Sequence, residues 1–228
     1  LANASTFRQG LGQYDKAIKN YENYLNLYGD VDPKKTAEVS FQIATIYEKQ
    51  DRDKRSVQQY KRYLQDHGED GDLNRVLQAH VAIGMYYWGR PGPGNDSQAL
   101  ERFERTLKIY DESETDGKQQ ELKKARDAAA RAKFMTAENV YKQVVDISID
   151  SPNEEVLKKR LREKTDVAER AQKTYLEVLD YGRPGWAIAA LYKIGALYEN
   201  LANTIRNSPP PERLNERQTE MYKGILED

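Results

Sequence analysis

Apolar residues recur at spacings of three and four along almost the whole chain, which is the mark of amphipathic helices. No segment sustains the period-two alternation of a half-buried strand. Tyr14, Ala17, Ile18, Tyr21, Leu25 and Tyr28 form one such stripe and predict a helix over 12–28, after a turn at Gly10-Leu11-Gly12. Gly29 is expected to stop it in a left-handed turn, which glycine enters without steric cost. Asp32-Pro33 then opens a helix over 34–50 (Ala37, Phe41, Ile43, Ala44, Tyr47), a capping side chain followed by a residue whose φ suits a first turn. Further helices are predicted over 53–67, ending at Gly68; over 73–89, capped by Asp72; and over 97–110. Residues 1–10 read as the tail of another. In the second half the stripes predict helices over 121–149, 153–181, 186–206 and 215–228. Ser151-Pro152-Asn153-Glu154 is the expected start of the second of these, with Ser151 as its cap, and Gly182 its stop. The polar stretch 111–120 carries no stripe and is expected to be a linker or a soft helix end.

One stretch occurs twice. GQYDKAIKNYENYLNLYG at 12–29 and DRDKRSVQQYKRYLQDHG at 51–68 align Ala17 with Ser56, Tyr21 with Tyr60, Tyr24 with Tyr63 and Gly29 with Gly68, each pair 39 positions apart. Paired helices recurring at this period indicate helical-hairpin repeats.

The residues resemble the tetratricopeptide repeat, whose first helix carries a large–x–x–Leu–Gly–x–x–Tyr core and whose second carries Ala–x–x–x–aromatic–x–x–Ala. Ile43-Ala44-x-x-Tyr47 stands with Ser56, Tyr60 and Tyr63; Ile83-Gly84-x-x-Tyr87 stands with Ala99, Phe103 and Thr106. Ile194-Gly195-x-x-Tyr198 repeats the first-helix pattern, and Ala171, Tyr175 and Val178 fit a second helix before it. The chain departs from the family in its longer period, in an insertion at RPGPGND (90–96) and in the long helices of 121–181. The resemblance implies an all-α, right-handed helical-hairpin solenoid of about five repeats. Regular repeats would occupy 1–110, the first truncated. Elongated repeats would occupy 121–228, the last hairpin incomplete, so the chain is expected to be a segment of a longer protein.

The second half is similar to a narrower group, the large periplasmic tetratricopeptide proteins of gliding and predatory δ-proteobacteria, gliding-motility proteins among them. Leu179 to Gly182, Pro184, Trp186-Ala187, Ala190 to Tyr192, Ile194-Gly195, Leu197 to Asn200, the prolines 209–211, Leu214 to Glu216, Gln218 and Tyr222 carry that likeness. It implies a periplasmic or envelope-associated scaffold, with the cytoplasm as the alternative compartment.

Composition narrows the chemistry. Hydrophobic residues make up 38% and charged residues 32%. Mean hydropathy is −0.92, which suits a helical array with much surface per residue. The 36 Lys and Arg against 37 Asp and Glu provide no net charge to draw the chain to nucleic acid or an anionic membrane. No apolar run approaches the roughly 18 residues of a spanning helix, so no membrane insertion is expected. Cysteine is absent, which excludes disulfides, thiol nucleophiles and thiolate metal sites. The 16 tyrosines supply rings to bury and hydroxyls that stay wet.

Candidate catalytic features are few, and each has a plainer explanation. His67 precedes a helix-ending glycine, where a polar or cationic residue suits the helix dipole. His80 takes a large core position, and no HExxH or similar ligand spacing exists. The glycine-rich GRPGPG at 89–94 lacks the Lys-Ser/Thr and the preceding strand of a phosphate loop, and reads as a loop protruding from one edge. KKRLREK (158–164) is interleaved with Glu154, Glu155, Glu163, Asp166 and Glu169, so an ion-paired, solvated face is expected. No catalytic residue, metal or cofactor is assigned, and the chain is not expected to be an enzyme.

What the resemblance implies is a concave groove lined by first-helix residues. These are Glu38, Phe41, Thr45 and Glu48; Gln78, Val81, Met85 and Trp88; Arg131, Phe134, Glu138 and Tyr141; and Ala189, Tyr192, Ala196 and Glu199. Of these, Phe41, Thr45, Glu48, Val81, Met85, Trp88, Phe134, Glu138, Tyr141 and Tyr192 are the expected partner contacts, an aromatic floor with a charged rim for a helix or extended peptide. The residues Phe41, Gln42, Thr45, Gln78, Val81 and Ala82 do not make the carboxylate clamp of the chaperone-tail binders. The alternative is a structural segment of a larger array that contacts its own neighbouring repeats. Apolar edges at 1–9 and 215–228 would then be exposed, with self-association through the incomplete terminal repeats.

Overall fold

The computed structural model describes residues 1–228 except Gly117, Pro152, Pro211 and Asp228; the side chains of 222, 223 and 225–227 also lie outside the described set. The expectations for Pro152, for Pro211 and for the side chain of Tyr222 therefore lie outside it. Among the described residues there are ten α-helices and no strand. They are α1 (Ala2–Gly10), α2 (Tyr14–Tyr28), α3 (Pro33–Lys49), α4 (Asp53–His67), α5 (Leu73–Tyr87), α6 (Asn95–Thr115), α7 (Gln119–Asp146), α8 (Glu154–Glu177), α9 (Pro184–Arg206) and α10 (Glu216–Glu227). A short 3-10 turn, Val178–Tyr181, follows α8. None of these helices is long and apolar enough to cross a membrane.

Local chemistry sets several helix starts. The Asp32 carboxylate accepts from the Lys35 backbone N–H at 3.0 Å and Pro33 takes the first turn. Asp72 does the same for Arg75. At α8 the cap is Asn153, which accepts from the N–H groups of Glu155 and Val156, rather than Ser151. Ser151 Oγ instead accepts from the Asn153 N–H, a short polar side chain ordering the turn ahead of the helix.

Two stops differ from expectation. Gly29 (φ −55°, ψ −38°) and Gly68 (φ −69°, ψ −28°) are right-handed, not left-handed. Their glycine requirement is one of space. A Cβ on Gly29 would stand 2.5 Å from the Leu25 carbonyl oxygen, and one on Gly68 would crowd the Leu64 carbonyl in the same way. Gly182 does take the left-handed conformation, φ 62° and ψ 35°.

The chain forms two compact units, Leu1–Ala129 and Ala130–Asp228, and the division falls within α7, not in the polar stretch 111–120. Residues 111–115 continue α6, because Ser113 is buried in register with Phe103, Thr106 and Tyr110 and donates to the Ile109 carbonyl at 2.8 Å. A serine occupying a core position leaves no apolar mark in the sequence.

In the first unit α1 packs on α2, α3 on α4 and α5 on α6, as three consecutive hairpins, and α2 meets α3 as α4 meets α5. Ala17, Ile18 and Tyr21 pack with Val39, Ile43 and Ile46 in one core cluster. Phe41, Ala44, Tyr60, Tyr63, Val76 and Ile83 belong to the next, where the Phe41 ring meets Tyr60 and Tyr63 edge-on at 5.5 and 5.3 Å. Gly84 lets α5 and α6 touch. A Cβ there would come within 2.6 Å of Phe103 Cε1.

In the second unit the Phe134 ring stacks against Tyr175 of α8 at 5.7 Å and Trp186 of α9 at 5.4 Å. Lys164, 2% exposed, donates from Nζ to the carbonyls of Val144 (2.8 Å) and Ile147 (3.0 Å) at the carboxyl end of α7. α8 packs on α9, and α9 touches α10.

Candidate protein-interaction surface

The ten residues expected to meet a partner have separate fates. Phe41, Val81 and Phe134 are buried, and Phe41 and Phe134 meet neighbouring rings within their own units. They support the helices and expose little surface, because a large apolar side chain pointing between two packed helices is covered by both. Thr45 turns its hydroxyl onto the Gln42 carbonyl at 2.9 Å. Glu48 is exposed, but one oxygen accepts from the Tyr60 hydroxyl at 2.8 Å. Met85 and Trp88 are half-buried, with Trp88 edge-on to Phe103 at 6.3 Å.

Glu138 sits at an internal junction of three helices. Tyr175 of α8 donates to its Oε1 at 2.6 Å and Lys193 of α9 to its Oε2 at 2.8 Å. Lys193 also lies 5.1 Å over the ring of Tyr141, which is half-buried. The Glu138 charge is thus matched from within, and burial together with this carboxylate pushes the Tyr175 phenol above its ordinary value.

Tyr192 is different: it is 74% exposed, and it is not alone. Ile188 (68%), Leu191 and Tyr198 are exposed on the same helix. A Cβ on Gly195 would meet nothing within 4 Å. The sequence pattern treats Leu191 and Tyr198 as core, and misses Ile188. The signal was the width of the stripe. α9 also buries Ala190 and Leu197, so it is apolar on more than one side, and a helix apolar around most of its circumference needs cover around most of it.

Elsewhere in the first unit Phe7 (70%) and Leu11 are exposed beside a hollow of about 620 Å3 along α1, and Met221 is exposed in the second. The loop at 89–94 is tied down at several points, the Gly89 N–H donating to Asp96 Oδ1 at 3.2 Å and Asn95 Nδ2 to the carbonyls of Arg90 and Pro91. Arg90 pairs with Asp53 at 2.7 Å and lies 4.0 Å over the Tyr86 ring. The basic run is ion-paired in part, Lys158 meeting Glu154 at 2.6 Å and Arg160 meeting Asp150 at 3.2 Å. Its last member, Lys164, points inward as the cap of α7, contrary to a wholly solvated face. His67 stacks on Tyr63 at 5.6 Å. His80 is buried, as a core position requires, and burial lowers its pKa from 6.5 to about 4, with the charges of Arg102 and Arg105 adding to the shift.

No family model and no curated protein matches the chain in sequence.

Proposed function

We propose that the chain is a non-catalytic protein–protein interaction scaffold of tetratricopeptide type that receives a partner's helix or extended peptide, and that it serves in a bacterial envelope complex of the motility kind. The observation that carries the binding role is the exposed apolar face of α9, formed by Ile188, Leu191, Tyr192 and Tyr198. Contiguous exposed apolar surface on a polar protein marks a place where another surface is received. Tyrosines at such a face offer large, rigid contact area with a hydroxyl that tolerates water. The consecutive hairpins of the first unit and the first-helix pattern at Ile194-Gly195-x-x-Tyr198 support the repeat type. The envelope assignment rests on the sequence likeness of 179–222 alone.

The test is affinity capture from native envelopes with the wild-type chain beside Ile188→Asp/Tyr192→Asp, two changes at exposed positions. Loss of specific partners with an unchanged thermal melt is the expected result; identical partners for both would refute the assignment to α9.

A second reading, a structural segment of a larger repeat array, is favoured by Phe7 and Leu11 along α1, exposed in addition to the α9 face. Here the chain alone self-associates as its concentration rises, and the α9 double variant and Phe7→Asp both suppress it in sedimentation velocity.

A further inference from the structure

The first unit contains a cleft of about 500 Å3 between α4, α5 and α6 whose lining is strongly cationic. Lys61 and Gln65 come from α4, Glu69 from the turn after it, His80 from α5, and Arg102 and Arg105 from α6. Arg102 and Arg105 stand three residues apart and so share a helix face. Among the described residues neither guanidinium makes an ion pair. Lys61 donates to the Tyr87 hydroxyl at 2.9 Å and keeps further N–H groups for another acceptor. Three cations therefore face one carboxylate.

A second observation is independent of that charge. His80 is only 7% exposed, and its Nδ1 is buried without a hydrogen-bond partner. Buried polar nitrogens are nearly always satisfied, and leaving one unsatisfied is costly because its lost hydration is not replaced. A buried imidazole with an orphan nitrogen in a cleft lined by two unpaired guanidinium groups has the makings of a ligand site and none of a metal site, since the neighbours are cations.

We infer that the cleft formed by Lys61, His80, Arg102 and Arg105 binds a phosphate-class oxyanion, as the free ion or as the phosphoryl group of a small molecule. The planar forks of two arginines match a tetrahedral oxyanion, each offering two parallel N–H groups. With Glu69 offsetting one of three positive charges, the excess suits a dianion better than a carboxylate. His80, nearly all buried, completes the lining between the cationic side chains. The volume exceeds what a bare phosphate fills, leaving room for a small organic body against Leu64 and Ile109.

The chain holds only two histidines, which makes the test direct. Inorganic phosphate is titrated into the protein while the two imidazole C–H resonances are followed by NMR, with chloride and acetate at equal ionic strength as controls. The expected result is a saturable shift of His80 and none of His67. Arg102→Gln/Arg105→Gln should weaken phosphate binding roughly 10- to 100-fold, as loss of charge-assisted hydrogen bonds does. The single Arg105→Gln variant, at an exposed position, serves if the double variant does not fold. Lys108→Gln, on the same helix but outside the cleft, leaves binding unchanged. A parallel titration with O-phosphoserine distinguishes the two sources: tighter binding than phosphate assigns a phosphomonoester, weaker binding the free ion. Equal shifts at both histidines, equal affinity for acetate or chloride, or full binding by the arginine variants would overturn the inference.

Discussion

The Tyr175 hydroxyl of α8 donates 2.6 Å to Glu138 Oε1 of α7, and this bond joins two long helices that the sequence places more than 35 residues apart at that point. The first unit repeats the relationship, with Tyr60 of α4 donating 2.8 Å to Glu48 of α3. The two bonds differ in how much water their carboxylates see. Glu138 is largely covered and also receives Lys193, whereas Glu48 is exposed.

Tyr175→Phe is therefore expected to destabilise the fold by about 1.5–3 kcal/mol, the cost of a lost hydrogen bond to a buried charge. Tyr60→Phe should cost less, about 1 kcal/mol, since water can replace the donor at Glu48. Urea denaturation of both variants checks the order. Equal costs would mean that the Glu138 junction is as wet as Glu48.

Gly84 and Gly195 occupy the same place in the first-helix pattern yet should respond oppositely to alanine. At Gly84 the new Cβ meets Phe103 at 2.6 Å, so Gly84→Ala forces apart α5 and α6 at a cost of about 1–3 kcal/mol. At Gly195 the new methyl meets nothing, and Gly195→Ala should gain roughly 0.5–1 kcal/mol from helix propensity. Thermal melts of the two variants read the difference.

His80 gives the stability a pH dependence with a definite sign. Its pKa falls from 6.5 to about 4, through burial first and then Arg102 and Arg105. Between those values the unfolded chain binds the proton and the folded one does not. Stability is therefore full above pH 6.5 and declines as the pH drops toward 4, by roughly 3 kcal/mol in total. The facing groups are Lys61 and Gln65 of α4, Glu69 of the following turn, and Arg102 and Arg105 of α6. Urea melts of wild type and His80→Leu at pH 7 and pH 5, in phosphate-free buffer, should show a steeper decline for wild type.

Lys164 closes the carboxyl end of α7 through two backbone carbonyls, and burial holds its pKa below the usual lysine value. Lys164→Met keeps the stem and removes the donors, leaving those carbonyls without them. A loss of about 1–3 kcal/mol is expected, with faster amide exchange in the last turn of α7 than in α9. Lys158→Met, whose ammonium pairs at the exposed surface with Glu154, should change stability little.

The sequence by itself determined the helices and their neighbours. The three-and-four spacing, the Asp32 and Asp72 caps and the 39-residue repeat are written within a few turns of chain, and local geometry needs nothing further to read them. Tyr192, one of the residues the sequence marks as an expected partner contact, is exposed on α9. What tertiary structure decided was the fate of each stripe once helices met. Phe41 and Phe134 became supports because neighbouring helices covered them, while Ile188 and Leu191 on α9 stayed open. Lys164 turned inward from a basic run because α7 ended beside it. Ser113 filled a core position that hydropathy does not register. His80 came to share a cleft with Arg102 and Arg105, more than 20 residues away, only through the packing of α5 on α6. Periodicity is a property of one helix; burial, ion pairing and the satisfaction of a polar atom belong to the pair of surfaces that meet.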